Sequence, residues 1–148
     1  MIRKAMKMDA DILTDLTFRS KAFWNYSPEQ LHAWKVELAI TTDYVLENEV
    51  FVLLLKSKVI GYYSWLVHDN DTVELGNLFI DPPCMNKGNG KILMNDFLER
   101  VKSSGKKKIR LFSEPQVEKF YGQFGFQTIG QHQSSIEGRF LPIMELAL

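Results

Sequence analysis

A chain of 148 residues, 45% of them hydrophobic, has the size and composition of one globular domain, 1–148, able to bury roughly 70% of its unfolded surface. Its 18 basic and 18 acidic residues cancel, which removes bulk attraction to nucleic acid or to a membrane surface. The single cysteine, Cys84, excludes an internal disulfide, and with no signal peptide or long apolar run the expected location is cytoplasmic.

Ile2–Met6 reads as a short first strand. Asp9 is the expected cap of a helix whose apolar stripe is Leu13, Leu16 and Phe23. Ser27-Pro28-Glu29-Gln30 is a second helix start, with Ser at the cap, Pro at the first helical position and Gln three residues past the cap. Leu31, Trp34 and Leu38 extend that helix on one face. The period then changes. Val50–Leu55 and Val59–Val67 are rich in β-branched and aromatic residues, and Lys56-Ser57-Lys58 turns between them, so the pair predicts a hairpin.

His68–Asp71 is another turn, and Thr72–Ile80 is a strand stopped by Asp81-Pro82-Pro83. A helix follows over Gly90–Ser104, with Ile92, Leu93, Phe97 and Val101 facing inward and Gly105 closing it. Lys108–Phe112 is a strand. Ser113 and Gln116 repeat the capping pattern ahead of the stripe Val117, Phe120, Tyr121 and Phe124. Phe126–Gln131 and Phe140–Leu146 are the last strands. Together these predict a mixed α/β sheet flanked by helices, with hairpins first and a strand–helix–strand crossover in the middle.

The segment Leu75–Leu93 holds the strongest chemical signal. A strand, a Pro-Pro stop, a glycine-bearing loop and a helix follow one another, which leaves free backbone N–H groups where a pyrophosphate could bind. It is not a Walker A loop, because Met85 stands where the first Gly should be and Ile92 where the hydroxyl should be. It is not a dinucleotide fingerprint either, because Leu93 occupies the third glycine position.

The six residues Met85, Asn86, Lys87, Gly88, Asn89 and Gly90 resemble the [Q/R]-x-x-G-x-[G/A] acyl-CoA loop of the GNAT superfamily of N-acyltransferases, with Met85 replacing the usual Gln or Arg. Ser113–Phe126 resembles the later motif of that superfamily, in which a helix bearing a Tyr, here Tyr121, runs into Gly125-Phe126. Order and separation match as well, and the likeness covers about Val50–Gly130. The resemblance implies a GNAT fold, with a mostly antiparallel central sheet of about six to seven strands. It further implies acetyl-CoA as acyl donor and a small-molecule or peptide amine as acceptor.

Residue roles follow from the resemblance, each with a plainer alternative. Gly88 and Gly90 let the backbone approach phosphate; otherwise they only form a tight turn. Lys87 and Lys91 add positive charge or are surface lysines. Leu78, Phe79 and Ile80 present main chain to the pantetheine arm or are core. Tyr121 assists the departing CoA thiolate or packs in the core, and Glu74 takes the amine proton or is a solvated strand carboxylate. Gln116 stands near the place where relatives carry a pantetheine-contacting Asn.

Asn77, polar in an apolar strand, contacts acceptor or an interior group. A fainter likeness at the two ends adds Arg19, Trp24 and Arg139 as acceptor contacts, against surface charges and a core Trp. Cys84 has no neighbouring His, the three histidines lack metal spacing, and no metal is expected. The basic run Lys102, Lys106, Lys107, Lys108 and Arg110 is a solvated cluster or an attraction for the adenosine 3′-phosphate or RNA. The implied activity is direct transfer of acetyl to a primary amine in a ternary complex. A non-catalytic acyl-CoA-binding sensor or interaction module on the same fold is the alternative. A monomer and a homodimer both fit.

Overall fold

The computed structural model describes every residue except Ser135 and Glu137. Seven strands, β1 (Ile2–Lys4), β2 (Glu49–Leu55), β3 (Lys58–Val67), β4 (Thr72–Ile80), β5 (Lys108–Phe112), β6 (Gln127–Gln133) and β7 (Phe140–Ala147), form one sheet in the order β1-β2-β3-β4-β5-β7-β6. The helices are α1 (Ala10–Phe23), α2 (Pro28–Ala33), α3 (Thr42–Glu47), α4 (Asn89–Ser103) and α5 (Glu118–Gly122). The chain divides into two compact units, Met1–Trp65 with Asn77–Leu98, and Leu66–Gly76 with Glu99–Leu148.

In the first unit β1 and β3 both pair antiparallel with β2. The β2–β3 turn puts Lys56 at φ 50° and Ser57 at φ 66°, the left-handed pair that matches the twist of a two-residue hairpin. Leu13 and Leu16 of α1 are fully buried, joining Val50, Val52 and Tyr62 in the core. Thr17 donates to the Leu13 carbonyl at 2.7 Å and meets the Tyr62 hydroxyl at 2.5 Å, so the buried phenol is satisfied. Leu93, Met94 and Phe97 of α4 are buried in this unit. Tyr63 of β3 donates to Asp96 of α4 at 2.5 Å.

Several local expectations are corrected here. Asp9 stands at the N-cap position of α1, as expected, but its side chain makes no capping bond there. It ends a one-turn 3-10 segment, Lys7–Asp9, and its carboxylate accepts from the Met6 N–H at 2.7 Å and from both terminal nitrogens of Arg3. Phe23 lies at the end of α1 and is 50% exposed. Ser27 caps α2 as read, accepting from the Gln30 N–H at 3.1 Å, but the helix stops at Ala33, before Leu38. Helix α3 was not foreseen; its cap is Thr41, which accepts from the Tyr44 N–H at 3.0 Å. Ile92 points outward from α4, and Met94 takes the expected inward place.

In the second unit the crossover brings β5 parallel to β4, with Thr72 beside Lys108 and Glu74 beside Arg110. β5 then pairs antiparallel with β7, and β7 with β6. Val73, Leu75, Val101, Ile109, Leu111, Tyr121, Phe126 and Met144 are among its buried apolar residues. Gly105, at φ 81°, closes α4 as expected. Ser113 is not a helix cap: its hydroxyl donates to the Glu114 carbonyl at 2.7 Å, and Glu114 precedes a 3-10 turn, Pro115–Val117, that lacks a side-chain cap. Thr128 of β6 fastens α5 by donating to Glu118 at 2.6 Å.

Arg3 and the Met6 N–H hold the buried Asp9 carboxyl below its usual range. A depressed carboxyl contributes stability above its unfolded pKa of about 3.9, and loses it as pH falls through the folded value. Asp9→Asn is therefore expected to lower stability by about 1–3 kcal/mol at pH 7. In urea titrations the gap to wild type should close as pH falls from 4 toward 2 (roughly the acid side of an ordinary carboxyl).

Candidate active site

The glycine loop grows out of the end of β4. The Asp81 N–H donates to the Ile60 carbonyl, and the Asp81 carbonyl accepts from Cys84, both at 2.8 Å. Pro82–Cys84 makes one 3-10 turn, because neither proline can extend the ladder. Asn86 and Gly88 then take left-handed conformations, at φ 60° and 83°, and turn the chain into α4. The side chain of Asn89, first residue of the helix, donates back to the Cys84 carbonyl at 2.9 Å. The first bond linking loop to helix is Ile92 N–H to the Gly88 carbonyl, 3.1 Å.

The main-chain N–H groups of residues 87–91 consequently find no acceptor among the described residues. They lie at the positive end of a 15-residue helix, where an anion is favoured. Lys87, Gly88 and Lys91 are exposed, Met85, Asn89 and Gly90 half-buried. A Cβ built at Gly88 would touch nothing within 4 Å, so its glycine serves backbone conformation and not space. Leu78 and Phe79 are half-buried and Ile80 is buried, with Phe79 against Tyr62.

The first unit also holds Arg19, Trp24 and Asn77. Arg19 forks onto Asp81, Nε to Oδ1 and Nη2 to Oδ2, both 3.0 Å. Trp24 packs edge-on against Phe23 and is partly exposed. The Asn77 amide donates to Ser64 at 3.0 Å and to Tyr44 at 3.2 Å, and those two hydroxyls meet at 2.7 Å. Asn77 thus has interior partners. Asp81, Ser64 and Tyr44 were not singled out in the sequence; only the acid at a strand end before Pro-Pro gave a local signal for any of them.

The second unit holds Glu74, Gln116, Tyr121 and Arg139. Tyr121 is buried, edge-on to Phe120 and Phe126, and its hydroxyl bonds to no other described residue. Burial pushes its phenol well above the usual range, so it stays protonated. Arg139 is ion-paired with Glu114, just ahead of the turn that leads into α5, and both side chains are largely buried. Gln116 is exposed on that turn.

Glu74 is half-buried, and its register partner Arg110 shares its face of the sheet; Arg110 in turn stands beside Glu145. Arg110 lies over the Phe112 ring at 5.4 Å, and its buried Nε has no hydrogen-bond partner among the described residues. Among the described residues no group of three or more His, Cys, Asp or Glu is placed to hold a metal. No helix is long and apolar enough to cross a membrane.

A protein-family model described as an acetyltransferase (GNAT) domain matches residues 24–148. The uncharacterized N-acetyltransferase ycf52 of Gracilaria tenuistipitata var. liui is 28% identical over 94 residues, 64% of this chain and 52% of that protein. The uncharacterized N-acetyltransferase MJ1207 of Methanocaldococcus jannaschii is 24% identical over 139 residues, 85% of this chain and 60% of that protein. The chain thus spans 52% to 60% of the length of these curated relatives. Among solved structures, the PaiA N-acetyltransferase of Thermoplasma acidophilum in complex with coenzyme A superposes with a TM-score of 0.82 at 22% identity, covering 100% of this chain and 98% of that one. That likeness speaks to the fold, and the family model, matched over most of the sequence, to membership: the chain belongs to the GNAT acetyltransferase family.

Proposed function

We propose that this chain is an acetyl-CoA-dependent N-acetyltransferase that transfers acetyl to a primary amine of a small molecule or peptide. The observation that carries the reading is the run of N–H groups over residues 87–91 that have no acceptor among the described residues, at the start of α4 and one turn after a strand end. A diphosphate satisfies those donors at no cost in reorganisation. Family membership and the coenzyme A bound to a structural neighbour support the same donor.

Acetyl-CoA supplies an activated thioester carbonyl. In the proposed chemistry, residues 85–91 hold its diphosphate, and the main chain of Leu78, Phe79 and Ile80 aligns its pantetheine arm. Main-chain N–H groups near Phe79 and Ile80 polarise the carbonyl. Glu74, directly or through water, takes a proton from the acceptor ammonium, whose unperturbed pKa is about 10. The neutral amine attacks the carbonyl carbon, the C–N bond forms and the C–S bond breaks. Tyr121 gives its proton to the leaving sulfur and takes in exchange the second proton shed by the new amide nitrogen, directly or through water, a role that suits a buried, protonated hydroxyl with no hydrogen-bond partner among the described residues. Gln116 is assigned to an outer contact with the donor and Trp24 to one with the acceptor, and Asn77, Arg19 and Arg139 to the support of these binding sites. Asn77, Arg19 and Arg139 act there through the partners described above.

Calorimetric titration with acetyl-CoA, with ATP and NAD as controls, tests the reading. Micromolar binding of acetyl-CoA alone is the expected result, and no binding rejects it. A thiol-release assay with a panel of amines then separates turnover from mere binding, the outcome for a sensor on this fold.

Tyr121→Phe is expected to lower kcat about 100-fold while the Kd for CoA stays within about threefold. Because burial raises the phenol's pKa, the ratio to wild type should hold constant from pH 7 to about 9, below an ordinary tyrosine's titration. Glu74→Gln should cost kcat about 100-fold at pH 7, with the gap narrowing toward pH 10 as the acceptor loses its proton unaided. Steady-state rates across that range check both.

A further inference from the structure

Asp81 is the only acidic residue between Leu78 and Lys91, the stretch whose main chain would meet the donor's pantetheine arm and phosphates. Its side chain is 5% exposed, whereas that of its partner Arg19 is 50% exposed. A lone carboxylate buried beside an anion site is doubly unfavourable, through its own desolvation and through repulsion of the ligand. The Arg19 fork answers both, since two parallel N–H···O bonds of 3.0 Å neutralise the carboxylate and fix its plane.

A chain of bonds leads from that fork to the loop. The Asp81 carbonyl accepts from the Cys84 N–H at 2.8 Å, and the Cys84 carbonyl accepts from the Asn89 side chain at 2.9 Å, at the first residue of α4. Pro82–Cys84 is a single 3-10 turn, so one short turn of chain separates Asp81 from the glycine loop.

We infer that Arg19 and Asp81 are a positioning pair for the donor's diphosphate, with Arg19 compensating a carboxylate buried just ahead of the glycine loop. The inference rests on the acetyl-CoA reading above. It assigns Arg19 to the donor half of the reaction, through Asp81, and not to direct contact with the acceptor.

A double-variant cycle on the full chain, read as the Kd for CoA by calorimetry, tests it. Arg19→Met is expected to weaken CoA about tenfold, by leaving the Asp81 charge uncompensated. Arg19→Lys, which keeps the charge, and the double variant Arg19→Met with Asp81→Asn, which removes both charges, should each stay within about threefold of wild type. The rescue is specific to charge, since a merely structural tether is lost equally in the double variant. The inference is overturned if Arg19→Met binds as wild type, or if the double variant is as weak as Arg19→Met. Should Arg19→Met fail to fold, the other two variants decide: either one weakened about tenfold overturns it. A wild-type protein that binds no CoA ends the reading and the inference together. A wild type that binds while the variants break the pattern ends the inference alone.

Discussion

Every residue except proline brings a main-chain N–H, and a helix entered from a short turn has nowhere to spend its first ones. Residues 87–91 face that constraint. The prolines at 82 and 83 stop β4, the left-handed residues Asn86 and Gly88 turn the chain, and α4 begins before any donor of residues 87–91 has found an acceptor among the described residues. The neighbouring features follow from keeping that geometry in place. Asn89 ties the helix start back to Cys84, the Asp81 main chain ties the turn to β3, and Arg19 ties Asp81 to α1. What looks like a loop is held at both ends and once along its length.

The interior of the first unit carries more polar chemistry than its apolar stripes suggest. Thr17 with Tyr62, and Tyr44 with Ser64 and Asn77, place hydroxyls and an amide against the sheet, each with a partner. Lys21, also buried, sits with its ammonium 5.0 Å from the Trp34 ring and 5.8 Å from that of Tyr26. Such groups stabilise little on balance, because desolvation offsets most of each bond. Their effect is to admit one arrangement of α1, α3 and β3 and to penalise slips that would strand a donor.

Local features of the sequence were the legible ones. The hairpin turn at Lys56-Ser57, the stop at Pro82-Pro83, the cap at Ser27 and the glycine ending α4 each depend on a few adjacent residues, and each is where the spacing put it. The seven strands and the parallel crossover were legible for the same reason. Pairings made by tertiary folding were not. Arg19 and Asp81 lie 62 residues apart, Arg139 and Glu114 25 apart, and no periodicity marks such partners. Helix ends were also poorly legible: Phe23 and Ile92 satisfy a helical stripe, yet each lies where the neighbouring element no longer covers the helix. Asp9 holds the cap position, but its bonding was not legible, because a carboxylate three residues past a turn start can bond back to Met6, and a sequence cannot tell that from a forward cap.

Gly61 adds a consequence of another kind. A Cβ at this position of β3 would stand 2.7 Å from Ile80 Cδ1 and 3.0 Å from the Phe79 carbonyl oxygen. The isoleucine methyl can swing aside; a main-chain oxygen cannot. Residue 61 therefore acts as a spacer gauge for the last turn of the ladder before the prolines. Widening it by one methyl would press on the peptide planes at 79 and 80 without replacing any polar side chain. Tuning of such a protein need not touch its polar groups at all, since bulk on a neighbouring strand can re-aim the backbone they depend on.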